Sequence, residues 1–120
     1  MIQTVAFIAY AAKDIPTSRR FYEDVLGLRL SRTPHGDWFE YDVGDTTFVI
    51  TSADVEHPVP VRGALLAFEV DDLDAEIARL RTLGVTIKGE VGNSPVCRYV
   101  TILDPDGTEL LIHERKNQAA

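Results

Sequence analysis

Cysteine is nearly missing from the chain: Cys97 is the one thiol in 120 residues, so no internal disulfide framework can hold the fold. Basic side chains are also few, 12 against 19 acidic ones, and the formal charge is -7. That balance disfavours the phosphate-neutralising surface on which nucleic-acid affinity depends, and no Lys/Arg cluster offsets it locally. No apolar run approaches the roughly 20 residues needed to cross a bilayer, so no membrane partner is expected. A lone thiol without a leader-like start fits a reducing, cytoplasmic setting. What is abundant is core: 45% of the residues are hydrophobic. A chain of this size buries about two thirds of its unfolded surface without staples or a structural metal.

Periodicity organises that core into two copies of one pattern. Residues 4–10 are strand-like, and Asp14-Ile15-Pro16-Thr17-Ser18 supplies helix-start chemistry before a helix over 19–26 closed by Gly27. Strands are expected over 28–32, 38–43 and 46–52, parted by turn clusters at Pro34-His35-Gly36-Asp37 and Gly44-Asp45. Residues 53–62, with Pro58 and Pro60, read as a linker. The order then repeats: strand 64–70, helix 72–83 ending at Gly84, and strands 85–91, 96–103 and 108–114. The expected fold is α+β, a single domain of tandem βαβββ modules, about 1–55 and 63–115, forming a curved mixed sheet around a cleft. Asp14 and Asp72 each precede a helix whose closing glycine lies 13 or 12 residues on, a likeness that points to duplication. The polar residues 115–120 read as a frayed tail.

Strand parity separates two faces. Leu66, Phe68 and Val70 point toward the helix, as do Leu110 and Ile112; Leu65, Ala67 and Glu69 point the other way with Glu109, Leu111 and His113. Ile77, Leu80 and Leu83 form the apolar side of the second helix. Gln3, Phe7, Thr47, Thr51, Tyr99 and Thr101 fall on the helix-free parity, with Trp38 close by. Apolar walls with a few polar handles are the usual make-up of a small-molecule pocket. Trp38 and Tyr41 are the candidates for stacking on a planar ligand, because exposed aromatic area is costly unless covered. His35 and His57 read as exposed loop residues, and Cys97 has no His or carboxylate near it in sequence to activate it.

Two segments carry a resemblance. Lys13-Asp14-Ile15-Pro16-Thr17-Ser18-Arg19-Arg20-Phe21-Tyr22-Glu23-Asp24-Val25-Leu26-Gly27 resembles the first-helix motif of the glyoxalase/bleomycin-resistance/extradiol-dioxygenase superfamily, the vicinal oxygen chelate fold; Asp104-Pro105-Asp106-Gly107 before an apolar strand resembles its last hairpin. In the superfamily's metal-dependent members a His stands seven residues before the motif Asp, with a carboxylate in the fourth strand, a His-like ligand in the fifth, and a Glu seven residues after the hairpin's first Asp. Here those positions hold Phe7, Thr51 or Val49, Leu65 and Leu111, which offer a metal little or nothing. No cofactor is therefore expected, and Phe7, Trp38, Tyr41, Thr51, Leu65, Tyr99, Thr101 and Leu111 are expected to line a ligand site. The resemblance then implies a metal-free protein that sequesters a small planar or cationic molecule, the cationic choice drawing on the acidic balance. An alternative is a glyoxalase-type lyase or isomerase, or a dioxygenase-like enzyme, using a displaced site: Glu109 with His113 as acid and base, or Glu69, Glu109 and His113 as a shifted metal triad. A plain binding module acting through its own dimer is a third reading. Open sheet edges and the superfamily's habit of pairing modules between chains both point to a homodimer.

Overall fold

The structure, a computed structural model, describes residues 1, 3–52 and 59–116. It divides into two compact units, Met1–Val61 and Arg62–Ala120. Unit 1 contains β1 (Ile8–Ala11), α1 (Ile15–Arg19) continuing as a π-helical segment (Arg20–Val25), β2 (Arg29–His35), β3 (Trp38–Val43) and β4 (Thr46–Thr51). Unit 2 contains β5 (Leu66–Glu69), α2 (Leu73–Thr82), β6 (Ile87–Asn93), β7 (Cys97–Leu103) and β8 (Glu109–Arg115). The expected α+β class and both βαβββ orders are therefore found.

Each unit builds one four-stranded sheet, ordered β1-β4-β3-β2 in the first and β5-β8-β7-β6 in the second. The first strand of each runs parallel to the last, and the remaining pairs are antiparallel. A helix links each first strand to the edge strand, as a crossover to the far side of a sheet requires. Asp14 and Asp72 cap these helices alike: their carboxylates accept the backbone N–H of Thr17 and Ala75, both at 3.1 Å. The Thr17 hydroxyl also donates to Asp14, and this bond leads the causes that hold the Asp14 carboxyl below its usual range.

Several boundaries differ from the sequence reading. Pairing of β1 begins only at Ile8 opposite Phe48, so residues 4–7 lie outside the strand. α1 starts at Ile15, four residues earlier than expected, because Pro16 fits the first helical turn, where its missing N–H has no intrahelical role. β2 runs through Pro34 to His35, which removes His35 from the loop; an edge strand tolerates proline and the register slips there. β8 includes Arg115, and the Lys116 N–H reaches the Val96 carbonyl at 2.9 Å, so the frayed tail does not begin at 115. Leu83 is about half exposed, whereas Leu73, Ile77 and Leu80 pack inward. Residues 53–58 of the expected linker, His57 among them, lie outside the described residues.

Between helix and sheet, unit 1 buries Tyr10, Phe21, Tyr22, Phe39, Tyr41, Phe48 and Ile50, and unit 2 buries Leu73, Ile77, Leu80, Val100, Ile102, Leu110 and Ile112. The parity predicted for β8 is the one observed: Leu110 and Ile112 are buried, and Glu109, Leu111 and His113 are not.

Candidate functional site

With one sheet face in each unit packed on a helix, the side chains able to meet a ligand are those of the opposite face. In unit 1 that face carries Trp38, Glu40 and Asp42 of β3 opposite Thr51, Val49 and Thr47 of β4. Trp38 is partly exposed, and its indole N–H donates to Glu40 Oε2 at 2.8 Å. Phe7, 47% exposed, meets the indole edge to face, with ring centroids 5.3 Å apart at 87°. An edge-to-face pair leaves ring faces open and holds both rings in place. Val49 and Thr51 are buried, and the Thr51 hydroxyl donates to the Asp37 carbonyl at 2.6 Å.

Tyr41 does not join this face. Adjacent strand positions alternate, so Phe39 and Tyr41 point to the helix side when Trp38 points away. Tyr41 has no exposed surface, and its hydroxyl donates to Glu23 Oε2 at 2.8 Å, so it cannot stack on a ligand as expected. Arg19 completes this network by donating Nε–H to the same carboxylate at 2.7 Å and lying 4.8 Å above the Phe39 ring. Burial, followed by the hydrogen bond to Glu23 and then its charge, pushes the Tyr41 phenol far above its ordinary range. Burial alone would raise Glu23 too, but the bonds from Arg19 and Tyr41 outweigh it and hold that carboxyl low. Outside this network, Ile15, Pro16, Arg19, Arg20, Glu23 and Asp24 line an open groove of about 300 Å³. Its Arg19 and Glu23 groups are already paired with each other.

In unit 2, consecutive rungs place Tyr99 opposite His113 opposite Glu69, then Thr101 opposite Leu111 opposite Ala67. Glu69 Oε1 lies 2.6 Å from His113 Nδ1, and Oε2 accepts the Arg115 backbone N–H at 2.7 Å. The Arg115 bond first, and His113 after it, hold the Glu69 carboxyl below its usual range. Tyr99 keeps exposed apolar area on the rung of this pair. A Cβ at residue 92 would overlap the Tyr99 ring, so Gly92 is what lets that ring lie over β6.

The structure brings two of the three proposed alternative ligands together and leaves the third apart. Glu109 stands four residues before His113 on β8, about 13 Å along an extended strand. It is paired instead with Lys88 Nζ at 2.7 Å, so it serves neither as the partner of His113 nor as a third metal ligand. Among the described residues no group of three His, Cys, Asp or Glu side chains is placed to hold a metal ion. The superfamily's usual positions fit a metal no better: Phe7 and Leu65 are exposed hydrocarbon, Leu111 is hydrocarbon, Val49 is buried, and the Thr51 hydroxyl is engaged. Cys97 Sγ lies 3.2 Å from the Ser94 hydroxyl.

Sequence reading missed one contact within β3, and it grouped Glu69 with His113 by parity without placing their contact. Trp38 with Glu40 is an i to i+2 pair on one face, a spacing legible in principle from strand parity. Glu69 with His113 needed the parallel pairing of β5 with β8, which no local pattern reveals.

Three relatives set this geometry in context. An antibiotic-binding protein from Streptomyces sp. CB03234, TnmS3, superposes with a TM-score of 0.79 at 29% identity, covering 96% of this chain and 98% of that one. A lactoylglutathione lyase from Agrobacterium tumefaciens superposes with a TM-score of 0.73 at 23% identity over 95% of each chain, a likeness of fold. The protein YaeR of Escherichia coli K12 is 29% identical over 126 aligned positions, 95% of this chain and 98% of that protein. The family model described as Glyoxalase/Bleomycin resistance protein/Dioxygenase superfamily matches residues 4–112, and the chain belongs to that superfamily.

Proposed function

We propose that this protein binds and sequesters a small planar or cationic organic molecule without the help of a metal. One observation carries the reading. The face on which the superfamily's metal-dependent members place their ligands presents the Phe7–Trp38 aromatic pair here, with Glu40 beside it. Exposed aromatic rings next to a carboxylate suit a flat ring system or an organic cation. The likeness to an antibiotic-binding protein supports the same class of ligand. An acidic balance supports a partner other than nucleic acid, exposed Val5, Phe7, Leu65 and Val96 support a homodimer, and the single thiol supports a cytoplasmic setting.

Trp38 is the chain's one tryptophan, so its emission reports on this face alone. Titration of chelator-treated protein with a panel of planar aromatic cations and neutral polycyclic drugs is expected to give saturable quenching. The absence of saturable quenching across the panel would overturn the reading. A second reading, a metal-independent lyase or isomerase, is favoured by the Glu69–His113 pair, with His113 as base and Glu69 in the place first given to Glu109. Turnover by chelated protein of a substrate that the free buffer leaves unchanged would establish it.

A further inference from the structure

Glu69 has both oxygens engaged, one by the Arg115 backbone N–H and one by His113 Nδ1. An ionised carboxylate can only accept, so Nδ1 must carry the proton, and in the neutral imidazole Nε2 is then the nitrogen with a lone pair. Nε2 has no partner among the described residues, and the His113 side chain is 25% exposed. Tyr99 stands directly across from His113, yet its ring lies over Gly92 on the far side of β7. The neighbours on this face are Leu111 and Ala67, which are hydrocarbon, with Thr101, Cys97 and Arg115 around them. The result is an oriented acceptor beside a short apolar strip, and what complements it is a flat molecule bearing one strong hydrogen-bond donor.

We propose that His113 Nε2 receives the acidic hydroxyl, phenolic or enolic, of a planar ligand, and that Glu69 is the positioning residue that fixes which ring nitrogen accepts. The proposal deepens the sequestering reading above and rests on it. A phenol suits the site better than an amine cation, because both Glu69 oxygens are already taken and Nε2 offers a lone pair rather than a charge. A phenol is also a stronger donor than an aliphatic alcohol, and its ring can cover the Ala67 and Leu111 strip.

Calorimetric titration of chelator-treated protein with matched pairs, 2-naphthol against 2-methoxynaphthalene and larger hydroxylated polycycles against their methyl ethers, tests this. The hydroxyl member of a pair is expected to bind about tenfold more tightly, the worth of one well-formed bond at a desolvated acceptor. His113→Phe keeps a ring in place without the nitrogen and is expected to abolish the preference while Glu69 keeps its Arg115 bond. Glu69→Gln keeps the shape but no longer dictates the tautomer. It is expected to shrink the preference about threefold and to shift the imidazole ¹⁵N resonances toward the Nε2–H form. Equal affinity for both members in the unaltered protein, or a preference that survives His113→Phe, overturns the proposal and leaves the sequestering reading standing. Failure of every compound to bind, with no quenching of Trp38, overturns both.

Discussion

In unit 1 the space between helix and sheet is filled by rings: Phe48 lies 5.0 Å from Tyr22 and 5.5 Å from Tyr10 between ring centroids, with Tyr41 at 6.3 Å. In unit 2 the same space is filled by Leu73, Ile77, Leu80, Val100, Ile102, Leu110 and Ile112. Strand order, strand direction and helix caps are nonetheless shared. Topology therefore depends on the alternation of apolar and polar positions, and the kind of apolar side chain is left free. The choice has side effects. A buried tyrosine needs a partner for its hydroxyl, so the aromatic core draws Glu23 and Arg19 into the packing, while the aliphatic core makes no such demand.

Core truncations give the largest effects. Phe48→Ala is expected to destabilise by about 4 kcal/mol and Leu80→Ala by about 3 kcal/mol in denaturant unfolding, the difference reflecting ring contacts beyond buried area. Equal losses would mean that the aromatic cluster adds nothing its area does not. Next comes the buried phenol. Tyr41→Phe is expected to cost about 1–2 kcal/mol at neutral pH, one charge-assisted hydrogen bond. Because burial raises the Tyr41 phenol above the about 10 of an unfolded tyrosine, its contribution is complete below that value and fades as the pH climbs through the folded one. Between about pH 10 and 12 the unaltered protein should lose stability faster than Tyr41→Phe, and parallel slopes would remove the phenol from the account. Smallest are the caps: Asp14→Ala and Asp72→Ala should each lower the melting temperature modestly, Asp14→Ala by slightly more, since both caps make a 3.1 Å backbone bond and Asp14 also accepts from the Thr17 hydroxyl. A marked inequality would break the equivalence of the two helix starts.

Much of this fold was legible because period-two alternation and helix-start chemistry are local. β3 was read to the residue, and alternation along β8 placed Leu111 and His113 on the helix-free side. Tyr41 was misplaced among the stacking candidates although it stands three residues from Trp38, a separation that alternation sends to opposite faces; the partner of its hydroxyl, Glu23, lies 18 residues away. Glu109 was grouped with His113 by parity alone. Parity fixes the face, but separation along the strand and the proximity of Lys88 fix the partner. The Glu69–His113 contact joins residues 44 positions apart and depends on strand pairing that only the folded chain displays.

The two helices also end in an informative way. After Gly84 the Val85 N–H returns to Leu80, five residues back; after Gly27 the Leu28 N–H returns to Tyr22, six back, both glycines taking positive φ. The first helix ends in the π-helical segment, where the Leu26 N–H bonds to the Phe21 carbonyl five residues back instead of four. The 13-against-12 spacing of the two motifs is thus a single extra residue absorbed as a change of helical pitch. Deleting one residue there would bring both motif spacings to 12, and a duplicated scaffold of this kind can keep lasting differences between its copies inside a helix as well as in its loops.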